Sequence, residues 1–128
     1  TASHLMRMSG EEVFSTYAEK STEGSFVLRR GYDELIRGKR ILVVEDVLTT
    51  GGSVKKIVAL ANEHGAEVAG VAALVNRGGV SAKDVDTKEL FSLIHLTFDS
   101  WEPSQCPLCR EKIPLNPSLG KTQRIKRH

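Results

Sequence analysis

Seven residues within nine positions could do chemistry together: Glu45, Asp46, Thr49, Thr50, Gly51, Gly52 and Ser53. The hydroxyl side chains supply O–H donors, and the two glycines let the backbone turn tightly and aim several N–H groups at one point. Ser53 is a favoured N-cap for the apolar-periodic segment after it, so those N–H groups would stand at the positive end of a helix. Such a cradle binds an anion, and a phosphate suits it best. The carboxylates before it repel phosphate but accept hydrogen bonds from vicinal hydroxyls and bind hard cations. The ligand expected is therefore a phosphate that carries a sugar or comes with a metal ion. A Walker-type loop is excluded, since no G-x-x-x-x-G-K-[ST] occurs.

Positioning this cradle requires a strand before it and a helix after it. Ile41-Leu42-Val43-Val44 reads as a strand buried on both faces, as in a parallel sheet, with the carboxylates where it ends. Val54, Ile57, Val58 and Ala61 recur at helical spacing, with Gly65 as the stop. Val68 to Val75 is a second buried strand, so the segment from Ile41 to Val75 is expected to form a βαβ unit. In open parallel sheets ligands bind beyond the carboxyl ends of the strands, which places Arg77, in Asn76-Arg77-Gly78-Gly79, near the cradle. Arg77 could equally cap its own loop by pairing with Asp84 or Asp86. Ser81 to Lys88 is polar and reads as loop, and Leu90 to Phe98 as a last strand, with His95 as a packed, hydrogen-bonded side chain within it. Upstream, Val13–Glu19 and Ser25–Arg30 read as strands of a hairpin around the turn Lys20-Ser21-Thr22-Glu23-Gly24. Gly31 to Arg40 reads as a connection that turns at Gly38.

Val-Val-Glu-Asp-Val-Leu-Thr-Thr-Gly-Gly-Ser, residues 43–53, resembles the phosphoribosyl-pyrophosphate (PRPP) signature of type I phosphoribosyltransferases, in the form found in orotate phosphoribosyltransferases. The resemblance covers about Met8 to Gly120. It implies an α/β fold with a mostly parallel sheet flanked by helices, a β-hairpin and an irregular C-terminal segment. The N-terminal base-recognition element, first core strand and pyrophosphate loop of such enzymes would be missing. The implied reaction exchanges pyrophosphate on C1 of PRPP for a nucleobase nitrogen, orotate above all, with Mg²⁺ neutralising the leaving group. Thr49, Thr50, Gly51, Gly52 and Ser53 would then hold the 5′-phosphate. Glu45 and Asp46 would hold the ribose hydroxyls directly or through the metal, and Arg77 would stack on or hydrogen-bond the base. Cations of the hairpin, Lys20, Arg29 and Arg30, would reach the pyrophosphate, or else form a solvated face. The resemblance further implies a homodimer. A PRPP- or nucleotide-binding regulatory protein of the same fold, or a purine phosphoribosyltransferase, remains open beside the orotate reading.

Cys106-Pro107-Leu108-Cys109 stands apart. C-x-x-C can be a structural turn, half of a tetrahedral zinc site completed by His95, His128 or a second subunit, or a redox pair. The redox reading is weakened because Ile113-Pro114 follows too closely for a stable helix. Some relatives of the orotate enzymes carry a similar Cys-Pro-x-Cys near the C-terminus.

At 128 residues the chain suits one core, expected over 1–100, with 101–128 as a C-terminal Cys-Pro-x-Cys segment and basic tail. The formal charge of +2 hides a local asymmetry. Lys121, Arg124, Lys126 and Arg127 leave 14 basic against 16 acidic residues before position 121, a net of −2. A solvated basic terminus, rather than a nucleic-acid surface, is the simpler reading. No apolar run approaches the roughly 20 residues that span a bilayer, and the cytoplasm is the expected location. Thr1 to Met8 reads as the end of a helix stopped by Gly10, as if a longer protein were cut there.

Overall fold

The computed structural model describes residues 1–99, 101–102 and 104–114. Its chain divides into two units, Thr1–Thr97 and Phe98–His128. The aliphatic run that opens the first unit's sheet forms β3 (Arg40–Leu48), after α1 (Ala2–Ser9), β1 (Glu19–Lys20), β2 (Phe26–Val27) and α2 (Tyr32–Ile36). It is followed by α3 (Gly52–Glu63), β4 (Glu67–Asn76) and β5 (Leu90–His95). The sheet order is β3-β4-β5, parallel throughout, with Val43 opposite Val71 and Ala73 opposite Ser92. The expected βαβ unit is therefore present, as is the α/β class with a separate hairpin.

The core lies between α3 and one sheet face. Val54 and Val58 pack with Val43, Leu48, Val71 and Ala73. Toward the other end of α3, Ala61 packs with Ile36 of α2, Ala66 and Leu28. The other sheet face differs from expectation. β3 is not buried on both faces, since Leu42 and Val44 are exposed, as are Leu74, Phe91 and Leu93. The alternation of the strand leaves these side chains opposite the helix-covered face, outside both core clusters. Nor does β3 end at the carboxylates: Glu45 and Asp46 lie inside it, and it runs on to the fully buried Leu48.

The hairpin forms, but each strand is two residues long, with Glu19 opposite Val27 and Lys20 opposite Phe26. A ribbon with no third strand sustains little ladder, so Val13 to Ala18 stay outside it. Ser21 and Ser25 close the turn through a backbone bond of 2.8 Å and a hydroxyl contact of 2.7 Å. The stretch expected to be a plain connection contains the five-residue α2, too short for helical periodicity to register. Asp33 and Glu34 favour its positive first turn, and Gly38 turns the chain at φ 66° as expected. Gly10, at φ 73°, ends α1 by donating its N–H to Met6 O.

In the second unit the described residues form one short helix, α4 (Pro107–Arg110). The basic residues Lys121, Arg124, Lys126 and Arg127, and His128, lie outside the described residues. Among the described residues no helix is long and apolar enough to cross a membrane.

Candidate functional site

A cleft of about 200 Å³ opens at the carboxyl end of β3, lined by Glu45, Val47, Leu48 and residues 49–54. Its floor is the turn from strand to helix. Gly51, not Ser53, is the N-cap of α3, in the left-handed region at φ 73°. Ser53 is instead the second residue of the helix, which leaves its hydroxyl and N–H in the open first turn. First-turn N–H groups have no carbonyl within their own helix, so Gly52, Ser53 and Val54 present donors at the positive helix end. Thr50 Oγ1 receives only a long bond, 3.4 Å, from Gly52 N–H. The arrangement can take up a doubly charged oxyanion with little rearrangement.

The two carboxylates flank this turn with unlike titration. Partial burial pushes Glu45 above its ordinary value, although its Oε1 accepts the Asp46 N–H at 3.0 Å. Asp46 is pulled below its ordinary value by its side-chain hydrogen bond with Glu45 and by the Val47 N–H, donated to Oδ1 at 2.7 Å. At neutral pH each carboxylate keeps acceptor capacity for hydroxyl groups or a hard cation.

A second loop is wedged against the first. Arg77 N–H donates to Leu48 O at 2.9 Å, and a Cβ at Gly78 would fall on the Thr49 carbonyl. A Cβ at Gly51 would come within 2.8 Å of Val85 Cγ1 and 2.9 Å of Val80 Cγ1. The buried Asn76 holds this loop, donating from Nδ2 to Val80 O at 2.7 Å and accepting the Val80 N–H on Oδ1 at 3.0 Å. Arg77, half-buried, is thereby fixed beside the cleft. In the same loop Asp84 accepts hydrogen bonds from the Ser81 N–H and hydroxyl, and Asp86 meets Lys55 at 3.1 Å. Sequence reasoning missed Asn76, Gly78, Val80 and Val85. The signal was two valines in an otherwise polar loop and an Asn at the last position of a strand.

The hairpin cations are placed elsewhere. Neither Lys20 nor Arg30 lines the cleft. Arg29 and Arg30 meet Glu19 at 3.5 and 3.7 Å, and Arg30 also lies 5.7 Å from the Tyr17 ring centre. Leu28, just before them, packs beside Ala61, about 14 Å along α3 from Gly52. His95 is hydrogen-bonded as expected, with Nε2 2.9 Å from Ser92 Oγ, but it is exposed rather than packed. It ends the register row that runs from Leu48 through Asn76.

Cys106 and Cys109 are free thiols. The pair does open a helix, contrary to the expectation drawn from Pro114: Cys106 is the N-cap, and its Sγ accepts the Cys109 N–H at 3.4 Å. Among the described residues no group of three or more His, Cys, Asp or Glu side chains is assembled to hold a metal ion. A broader depression of about 620 Å³ near the amino end of β4 mixes Lys83 and Lys88 with Glu67 and Asp86. No helix N-terminus opens into it, so the cleft at Gly51 is the better ligand site.

Residues 11–108 match the phosphoribosyl transferase domain. The chain belongs to that family. It is 44% identical over 102 residues to orotate phosphoribosyltransferase of Caldicellulosiruptor bescii, covering 79% of this chain and 51% of the relative. The corresponding enzyme of Chlorobaculum parvum is 40% identical over 104 residues, covering 81% and 52%. Among solved structures, the crystal structure of Mycobacterium tuberculosis H37Rv orotate phosphoribosyltransferase in complex with inorganic phosphate aligns with a TM-score of 0.52 at 28% identity. That alignment covers 74% of this chain and 53% of the other. The chain thus spans about half the length of the curated relatives it matches. The cleft just described lies wholly within the matched residues.

Proposed function

We propose that this chain carries the PRPP-binding part of an orotate phosphoribosyltransferase, which transfers the phosphoribosyl group of PRPP to orotate and releases pyrophosphate in pyrimidine nucleotide synthesis. The observation that carries this reading is the left-handed Gly51 at the head of α3, with residues 49–54 and Glu45 around one cleft. Residues 49–53 take the 5′-phosphate, a remote handle whose binding energy positions C1. Glu45 and Asp46 accept hydrogen bonds from the ribose hydroxyls. Cleavage of the C1–O bond builds positive charge on the ribose, and these carboxylates favour it electrostatically. Neither need act as a general base.

Mg²⁺ suits this site, since it keeps most of its waters and binds through one or two carboxylates plus substrate phosphates. Glu45 and Asp46 are the residues that would hold it, and it would supply charge neutralisation of the pyrophosphate leaving group. Arg77 supports the base, its backbone fixed by the Leu48 carbonyl. Lys20 or Arg30 serves the pyrophosphate only if the hairpin reaches another copy's site, which accords with a homodimer. Pairing of Arg30 with Glu19 is exposed and weakly held, so it does not forbid that exchange.

Calorimetric titration of the 128-residue chain with PRPP and Mg²⁺, beside a Thr50→Ala/Ser53→Ala control, tests the cradle. Saturable binding lost in the control is expected. In the full-length protein Asp46→Asn should lower turnover far more than it lowers stability. Near-normal turnover would remove Asp46 from the mechanism, and turnover with a purine base in place of orotate would overturn the substrate.

A further inference from the structure

The Cys106–Cys109 pair is not used by the cleft and belongs to the other unit of the chain. We propose that Cys106 and Cys109 form half of a four-thiolate zinc site, completed by the same two residues of a second copy of this chain. The inference is independent of the reading of the cleft.

Three observations lead to it. Both cysteines are free, and the three-residue separation across the first turn of α4 puts them side by side, with the Cys109 N–H donated to Cys106 Sγ. That donor stabilises a thiolate where a metal ligand must be ionised. Second, Zn²⁺ in a closed site takes four ligands in a tetrahedron, and among the described residues no third His, Cys, Asp or Glu stands with the pair. The site is open toward solvent: Cys109 is exposed and Cys106 only half-buried. Third, two identical pairs related by a two-fold axis through the metal meet the tetrahedral requirement without distortion, because an isologous contact places like residues on both sides of the axis. Leu108, inside the motif, and Ile113, just after it, are both exposed and would gain cover. Zn²⁺ with four thiolates carries a net charge of −2, and Arg110 and Lys112 from each chain bring four positive charges near it.

Binding displaces one proton from each of four thiols and forms four Zn–S bonds, with no change in oxidation state. A disulfide between the same residues would consume the site, so the reduced chain is the binding form.

The test uses the full 128-residue chain, reduced, stripped with a chelator and titrated with Co²⁺ as a spectroscopic substitute for Zn²⁺. The expected result is one metal per two chains, with the charge-transfer intensity of four thiolates. A doubling of mass on native mass spectrometry, undone by chelator, should accompany it. Cys106→Ser and Cys109→Ser should each abolish the spectrum and the metal-dependent doubling. Their far-ultraviolet circular dichroism should match the unsubstituted chain, because neither residue is in the core. One metal per chain in a monomer, binding that survives both substitutions, or no binding by the reduced chain would each overturn the proposal.

Discussion

Gly51 and Val85 stand so close that a Cβ on the glycine would lie 2.8 Å from Val85 Cγ1. Gly51 heads the helix under the cradle, and Val85, fully buried, belongs to the loop that follows Arg77. Glycine is thus required twice at this position, by its φ of 73° and by the valine beside it. Gly51→Ala should cost about 1–2 kcal/mol for the left-handed backbone and a further ~1–3 kcal/mol for overpacking. Adding Val85→Ala should recover only the Val85 share of the overpacking, because Val80 Cγ1 would still stand 2.9 Å from the new Cβ, and melting curves of the single and double variants would show the difference.

Asn76→Ala removes both side-chain bonds to Val80 and leaves a buried N–H and carbonyl without their partners. A loss of about 1–3 kcal/mol in urea unfolding is expected. Asn76→Asp keeps the acceptor and loses the donor, so it should fall short of the natural chain as well. An unchanged midpoint in both variants would show that the clip contributes nothing.

Glu45 and Asp46 respond to pH in opposite directions. Glu45 titrates above 4.5 in the folded chain, so its contribution to stability is full below about that pH and is lost as pH rises through the folded value. Asp46 titrates below 3.8; its contribution is present above that value and is lost as pH falls through the folded one. Glu45→Gln should therefore raise the melting temperature slightly at pH 7 while weakening binding of PRPP with Mg²⁺. In the natural chain, affinity should decline on acidification in the window just above pH 4.5, and that decline should flatten in Glu45→Gln. Calorimetry across pH 4.5–7 measures both.

Phe91 and Leu93 are 63% and 65% exposed on the face of the sheet that α3 does not cover. Replacing both by Ser should change stability by no more than about 0.5 kcal/mol per site and should reduce binding of a hydrophobic dye. Val58→Ala, on the helix-covered side, should cost about 1–3 kcal/mol by opening a cavity. A comparable loss at Phe91 or Leu93 would mean that the face is covered.

What could be read from the chain before any coordinates was what local chemistry dictates. The aliphatic run, the Thr-Thr-Gly-Gly-Ser turn, the spacing of Val54, Val58 and Ala61, and the stop at Gly65 each specify their own conformation. They led to the βαβ unit and to the cleft lined by Glu45 and residues 49–54. Whatever depended on a distant partner was not legible. Ile41 to Val44 looks the same whether one face or two are covered, and its exposed side follows from the number of layers present. Ser53 is a good cap by type, yet Gly51 takes that place because the chain must enter the left-handed region beside Val80 and Val85. The role of Asn76 depends on a loop residue four positions later, which no periodic pattern marks.

The contact of Gly78 with the Thr49 carbonyl bears on redesign. A transplanted 76–88 segment with any side chain at position 78 would displace the 49–51 backbone before its new residues could act. The two segments therefore have to be exchanged together, as a single cassette, in any redesign of this scaffold.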